Sequence, residues 1–132
     1  MNRKKILFLP LFLLLFSCPN DDDMPTEEET LIDVTYDVLF WEFTPDTGNN
    51  TARLQYEIEF FNPNNIDING FYKITQNADG LETSLLSTNL SLCYLIEANS
   101  SCTFSFDEED SLELAMINSI EFISAEYIIE EQ

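Results

Sequence analysis

The strongest pattern in this sequence is a strict alternation of apolar and polar residues between residues 53 and 60. The apolar positions are Leu54, Tyr56, Ile58 and Phe60, and the polar positions are Arg53, Gln55, Glu57 and Glu59. Neighbouring side chains of an extended chain point to opposite faces, so this pattern predicts a half-buried β-strand. Asn62-Pro63-Asn64-Asn65 follows and predicts a turn, because proline lacks the N–H group that a strand interior needs.

Other segments repeat the alternation. Residues 32–43 also alternate, but the alternation changes phase near Leu39. The even-numbered positions are apolar up to that point (Ile32, Val34, Tyr36, Val38 and Phe40), and the odd-numbered positions Trp41 and Phe43 are apolar after it. A β-bulge, or a strand that passes between sheets, explains such a change. Residues 71–76, 90–96, 104–106 and 120–129 predict further strands, with 104–106 paired to 90–96 across residues 97–101. Asn77–Gly80 predicts a hairpin-like turn, and residues 111–118 allow either a helical turn or a strand edge.

About seven short strands at this spacing favour an all-β fold, an antiparallel β-sandwich. Four short motifs add a family resemblance: Phe60-Phe61-Asn62, Gly70-Phe71-Tyr72, Asp79-Gly80 and Phe104-Ser105-Phe106. Together they resemble the immunoglobulin-like FxLYD domains of prokaryotic surface proteins, although the full Phe-x-Leu-Tyr-Asp string is absent. The resemblance implies an immunoglobulin-like sandwich and no particular activity, because sandwiches host many unrelated functions.

The N-terminal segment has the pattern of an export signal. Arg3, Lys4 and Lys5 precede an apolar run of 11 residues from Ile6 to Phe16. As a helix that run would span roughly 16 Å against the ~30 Å of bilayer hydrocarbon, so a cleaved signal is favoured over a membrane-spanning helix. Ser17-Cys18 resembles the lipobox of bacterial lipoproteins, which implies that residues 1–17 are removed and that Cys18 is lipidated. An ordinary secretory signal with an incidental cysteine is the alternative.

Three acidic residues follow the lipidated position, namely Asp21, Asp22 and Asp23. This cluster resembles the export signal of surface lipoproteins in the Bacteroidota, which implies a place on the outer face of the outer membrane. The periplasmic leaflet is the alternative location, and a solvated tether is the alternative role of the cluster. We therefore expect a signal peptide at residues 1–17, a lipidated, disordered acidic tether at 18–30 and the sandwich domain at 31–132.

The charge of the chain restricts its partners. The net charge is −20, and removal of residues 1–17 leaves Arg53 and Lys73 against 25 acidic residues, a net charge of −23. Such a surface repels phosphate backbones, so we expect no nucleic-acid partner. Attachment to the membrane depends on the acyl chains, each buried CH₂ of which contributes ~0.8 kcal/mol.

The composition leaves little room for catalysis. Cys93 and Cys102 form an even pair once Cys18 is lipidated, and in an exported protein such a pair predicts a disulfide. The chain has no histidine, which removes histidine-based nucleophilic catalysis and histidine-ligated metals. Carboxylate pairs need a cleft to act in glycoside hydrolysis, so we expect no enzyme. The loops Asp46–Asn50 and Asp107–Asp110 offer oxygen ligands to Ca²⁺, with solvated loops as the alternative; we expect no other cofactor or metal.

Consecutive aromatic residues give the clearest indication of a ligand site. Neighbouring residues of a strand face opposite sides, so Phe40-Trp41, Phe60-Phe61 and Phe71-Tyr72 cannot all point inward. Trp41, Phe61 and Phe71 are therefore candidates for an aromatic platform that binds a glycan or a protein, unless another element covers the second face. Asp110-Ser111-Leu112 resembles the O-glycosylation acceptor of exported Bacteroidota proteins, with Ser111 as the acceptor.

These features predict a lipid-anchored module of the cell envelope that binds a protein or glycan partner without catalysis. We expect it in the outer membrane, displayed on the cell surface. The alternative is a structural coat lipoprotein whose acidic charge is its main property and which has no dedicated ligand.

Overall fold

The computed structural model of this chain describes residues 30–114 and 116–130. The described part consists of strands, turns and loops, and it contains no helix. The strands are β1 (Thr35–Thr44), β2 (Thr51–Asn62), β3 (Ile68–Ala78), β4 (Leu81–Leu86), β5 (Leu95–Ile96), β6 (Ser100–Ser111) and β7 (Ile120–Ile129). Several predictions concern residues outside the described ones: the signal peptide at 1–17, lipidation of Cys18, the export cluster Asp21–Asp23 and all but the last residue of the tether.

The seven strands form two antiparallel sheets. The first has the order β1-β2-β6, with β2 in the centre. In the second, β3 is central and pairs with β4, β5 and β7. Because β4 and β7 both pair with residues 73–78 of β3, they lie on its opposite edges. The predicted all-β sandwich of about seven strands is confirmed.

The core lies between the inner faces of the two sheets. Ile58 and Phe60 of β2 are completely buried, Tyr56 is 3% exposed, and Leu54 is half-buried. These are the four residues that the alternation assigned to the inner face, so that prediction is confirmed. The second sheet contributes Ile68, Tyr72, Ile74, Ile96, Ala125 and Tyr127 to the core. Burial of each large apolar side chain stabilises the fold by about 1.5–3 kcal/mol.

The change of phase in β1 is a β-bulge. Val38 pairs with Ile58, but the next paired residue is Phe40, which lies opposite Glu57, so Leu39 is the extra residue. The bulge turns Trp41 toward the interior, where its ring stacks on that of Tyr56 at 4.5 Å. The Trp41 Nε1–H group donates a hydrogen bond to the carbonyl oxygen of Ile120, at 3.2 Å, which ties β1 to β7.

One end of the sandwich is closed by buried asparagines and a disulfide. The amide of Asn62, which is completely buried, donates to the carbonyl oxygens of Ile66 and Glu97 at 2.9 and 3.0 Å. Its Oδ1 accepts from the backbone N–H of Asn64 at 2.9 Å. Cys93 and Cys102 form a disulfide with an Sγ–Sγ distance of 2.01 Å, as predicted. Since Cys102 lies in β6 and Cys93 just before β5, this disulfide connects the two sheets. We call this end of the sandwich the disulfide end.

The predicted strand at residues 90–96 is largely wrong. Only Leu95–Ile96 forms a strand, because residues 88–94 form turns instead. In these turns the Ser91 N–H donates to the carbonyl oxygen of Thr88 at 3.0 Å, and Cys93 has a φ of +63°. The predicted pairing is wrong as well, since Phe104 and the rest of β6 pair with β2. Strand β4 was not predicted, whereas the hairpin turn before it is confirmed at Asp79 and Gly80, with φ of +49° and +91°. Of the two alternatives for 111–118, the described residues show no helical turn.

Candidate binding surface

The outer face of the second sheet carries a group of solvent-exposed apolar side chains. In β3, Tyr72 and Ile74 point into the core, so the alternate residues Phe71 and Lys73 point outward. The register then places Ile128 opposite Phe71, and Leu86 opposite Lys73. We call this surface the apolar face, and it consists of Phe71, Leu86, Tyr94, Leu95 and Ile128. Leu86, Leu95 and Ile128 are 58%, 54% and 49% exposed.

An aromatic pair occupies this face. The rings of Phe71 and Tyr94 lie 5.5 Å apart, and the Tyr94 hydroxyl donates to the carboxylate of Glu130. That hydrogen bond is the main reason why the pKa of Tyr94 is raised. The Tyr94 carbonyl accepts from the N–H of Gly70 at 2.9 Å and from the hydroxyl of Tyr127 at 2.7 Å. The backbone that carries the aromatic pair is therefore held firmly against β3.

Gly70 is required beneath this pair. A Cβ atom at residue 70 would lie 2.4 Å from the carbonyl oxygen of Ile128 and 2.5 Å from the ring of Tyr127. The Tyr127 ring is buried, which raises the pKa of its hydroxyl to about 12. Because the hydroxyl reaches past Gly70 to the backbone at residues 93 and 94, the missing side chain of Gly70 allows the contact that positions Tyr94.

A single ion pair lies within the apolar face. Lys73 Nζ and Glu126 Oε1 are 3.0 Å apart, and both side chains are about half-exposed. Exposed pairs of this kind contribute at most about 1 kcal/mol. The pair thus adds a polar contact point to the surface and little to stability.

The outer face of the first sheet differs in composition. We call it the acidic face, and its carboxylates are Asp37, Glu42, Glu57, Glu59, Asp107 and Glu109. Arg53 is the one basic residue on this face and forms two hydrogen bonds with Asp107, at 2.8 and 2.7 Å. These bonds lower the pKa of the Asp107 carboxyl and raise the pKa of the Arg53 guanidinium. Asp37 and Glu59 lie directly opposite each other, and like charges in such a cross-strand pair are destabilising.

The three predicted platform residues lie in three different parts of the domain. Trp41 packs between the sheets against Tyr56 and Phe122. Phe61 lies at the margin of the acidic face, opposite Thr35 and Ser101. Phe71 alone lies on the apolar face. The structure therefore does not join them into one platform, and a ligand-binding role for each stays a prediction.

Sequence reasoning missed the companions of Phe71. Tyr94 was assigned to a strand that is largely absent, and Leu86 to none. Ile128 is the outward member of the pair Tyr127-Ile128, and its side chain is recognised as a neighbour of Phe71 only from the β3–β7 register. No signal within 56 residues of intervening sequence specifies that register.

The remaining predicted sites lie apart from one another. The prediction of a loop at Asp107–Asp110 is wrong, because these residues are part of strand β6. Ser111 is exposed at the end of β6, accessible to modification. In the loop after β1, Asp46 Oδ1 accepts from the N–H groups of Gly48 and Asn50 at 2.8 and 2.9 Å, which lowers the pKa of Asp46 and closes the loop on itself. Within residues 30–114 and 116–130, no three histidine, cysteine, aspartate or glutamate side chains are grouped as a metal site. The same residues include no helix long and apolar enough to cross a bilayer.

No protein-family model matches this sequence, and neither does any curated protein or solved structure.

Proposed function

We propose that this protein is a lipid-anchored module of the cell envelope that binds a protein partner, without catalysis, through the apolar face. The supporting observation is the exposure of Leu86, Leu95 and Ile128 around the Phe71–Tyr94 pair, on a chain with a net charge of −20. Clustered apolar side chains on the surface of a soluble domain are typical of interaction sites. The aliphatic side chains of this face favour a protein as the partner. The two aromatic rings are the feature that would support a glycan instead.

The proposed anchor is compatible with this role. Ile32 joins the domain at the disulfide end, where its N–H donates to Asn64 Oδ1 at 2.7 Å. A chain lipidated at Cys18 would therefore attach to the membrane at this end. Strand β1, of 10 residues, then runs roughly 33 Å away from that attachment. If Asp21–Asp23 act as an export signal, as proposed, this orientation would present the faces of the sandwich to partners outside the outer membrane.

Partner capture by immobilised protein tests the proposal. Solubilised envelope proteins are passed over the wild-type chain and over a Phe71→Ala/Ile128→Ala variant, with Thr103→Ala/Ser105→Ala on the acidic face as the matched control. We expect one defined protein to be retained by the wild type and the control, and lost with the apolar-face variant. Equal retention by all three, or retention of a labelled glycan in place of protein, would contradict the proposal.

The acidic face favours a second candidate function, that of a coat protein without a dedicated ligand. Six carboxylates and one arginine on one sheet surface repel other acidic macromolecules and attract counterions. The absence of any retained partner with all three proteins, together with a loss of cell-surface charge in a deletion strain, would support this function.

A further inference from the structure

A cleft of about 210 Å³ lies between the inner faces of the two sheets, at the end opposite the disulfide. Its walls are mainly apolar and include Phe43, Leu54 and Phe106 from the first sheet, with Ile117 and Ile120 from the segment that leads into β7. These side chains are half-buried. The cleft is separate from the apolar face, which lies on the outside of the second sheet.

Two carboxylates stand on the inner side of the sandwich at this cleft. Glu108 pairs with Leu54 and Asp110 with Ala52, and both partners face the interior. The inner face of β6 thus changes from Phe104 and Phe106 to Glu108 and Asp110 along its length. Both carboxylates line the cleft.

The described part of the chain provides no counterion for these carboxylates. Its two basic residues are Arg53 and Lys73, and each is paired elsewhere: Arg53 with Asp107 at 2.7 Å, and Lys73 with Glu126 at 3.0 Å. Both of those pairs lie on outer faces of the sheets. Within the described residues, neither Glu108 nor Asp110 forms a side-chain hydrogen bond or an ion pair. Both carboxylates are solvent-exposed, and a cation beside them has to come from outside the described residues.

From this geometry we propose that the cleft binds a lysine or arginine side chain of a protein partner. The aliphatic stem packs against the apolar walls while the charged end lies beside Glu108 and Asp110, as long basic side chains do at the margin of apolar surfaces. The volume suits a single side chain, since sites for drug-sized ligands measure roughly 300–1,000 Å³. The net charge of −20 attracts basic partners over a distance, and the cleft opens at the end away from the point where the tether joins.

Trp41 is a built-in reporter of the cleft. It is the single tryptophan of the chain, and its indole N–H binds the carbonyl of Ile120, a residue of the cleft wall. Its ring stacks on Tyr56, which in turn stacks on Phe106 at 4.8 Å. We therefore expect Trp41 emission to change when the cleft is filled.

The test titrates the full chain with capped hexapeptides Gly-Ser-Leu-Xaa-Ser-Gly in which Xaa is lysine, arginine or norleucine. We expect the two basic peptides to bind about tenfold more tightly than the norleucine peptide, because a charge-assisted contact replaces an apolar end. A Glu108→Gln/Asp110→Asn variant should lose that difference. The matched control Glu57→Gln/Glu109→Gln, which removes the same charge from the acidic face, should retain it.

Three outcomes would overturn the proposal. Equal affinity for basic and norleucine peptides would show that the carboxylates are not used. An undiminished difference in the Glu108→Gln/Asp110→Asn variant, with its strand content verified by circular dichroism, would place the site elsewhere. Binding of n-hexylammonium without binding of either basic peptide would identify a site for small amines rather than for a partner's side chain.

Discussion

The outer faces of the two sheets differ in the charge of their side chains, whereas the inner faces of the two sheets are similar in composition. Both sheets are antiparallel and supply aromatic and β-branched residues to one core. The outward positions of the first sheet carry six carboxylates beside Phe40 and Phe61. Those of the second carry Phe71, Leu86 and Ile128 beside three glutamates, Glu82, Glu121 and Glu126. Inward residues determine the fold, so outward residues are free to diverge for other purposes. The proposed function depends on this contrast between the two outer faces.

The largest expected change in stability distinguishes an inward-facing from an outward-facing residue of strand β2. Phe60 is completely buried, and its neighbour Phe61 is 39% exposed on the acidic face. We expect Phe60→Ala to lower the free energy of unfolding by about 3–5 kcal/mol, since it leaves a cavity. Phe61→Ala should lower it by less than about 1 kcal/mol. Urea denaturation followed by Trp41 fluorescence measures both, and similar losses for the two variants would contradict the assignment of faces.

The bridge between the sheets gives the next effect. Cys93 and Cys102 are nine residues apart in sequence, and on the chain-entropy model a loop of that size stabilises the fold by about 2–3 kcal/mol. We expect a Cys93→Ser/Cys102→Ser variant to unfold at correspondingly lower urea concentration, with both faces still formed. Reductant should destabilise the wild type and leave the variant unchanged. A wild type that is insensitive to reductant would mean that the disulfide does not stabilise the sandwich.

Most of the strands can be predicted from the sequence, but the composition of the apolar face and of the cleft cannot. Features that depend on residues close in sequence can be predicted: the inward-facing residues of β2, the bulge at Leu39 and the turn at Asp79-Gly80. The cysteine pair can be predicted from the number of cysteines that remain once Cys18 is assigned to lipid. The residues that surround Phe71 on the apolar face are brought together by registers between strands that are distant in sequence. They also depend on the turns of residues 88–94, where the alternation of Leu90 and Leu92 wrongly predicts a strand. Glu108 and Asp110 look like a solvated acidic run until pairing with Leu54 and Ala52 assigns them to the inner face.

Replacing a glutamate by lysine should change stability in opposite directions on the two faces. Glu59 lies opposite Asp37, so Glu59→Lys converts a repulsive cross-strand pair into an attractive one. We expect a gain of about 0.2–1 kcal/mol. Glu126→Lys on the apolar face replaces the partner of Lys73 by a like charge, and we expect a loss of about 0.2–1 kcal/mol. Thermal unfolding at low salt measures the two shifts, and a common sign would break the electrostatic contrast.

The smallest effect concerns the pH dependence of the acidic face. Its Arg53–Asp107 pair lowers the pKa of Asp107 in the folded state. A lowered folded-state pKa contributes stability above the unfolded-state value, and this contribution is lost as the pH falls through the folded-state pKa. We expect Asp107→Asn to lower the Tm slightly at pH 7 and to match the wild type in strong acid. A Tm difference that grows with acidity would reverse the assigned sign.

Site-specific photo-crosslinking in intact cells tests the central claim, that the apolar face binds a protein partner, most directly. A photoreactive residue is placed at Leu86 on the apolar face or at Thr103 on the acidic face, both of which are exposed. We predict one discrete cross-linked species from position 86, abolished by Phe71→Ala, and none from position 103. Equal cross-linking from both positions, or cross-linking from position 103 alone, would contradict the claim.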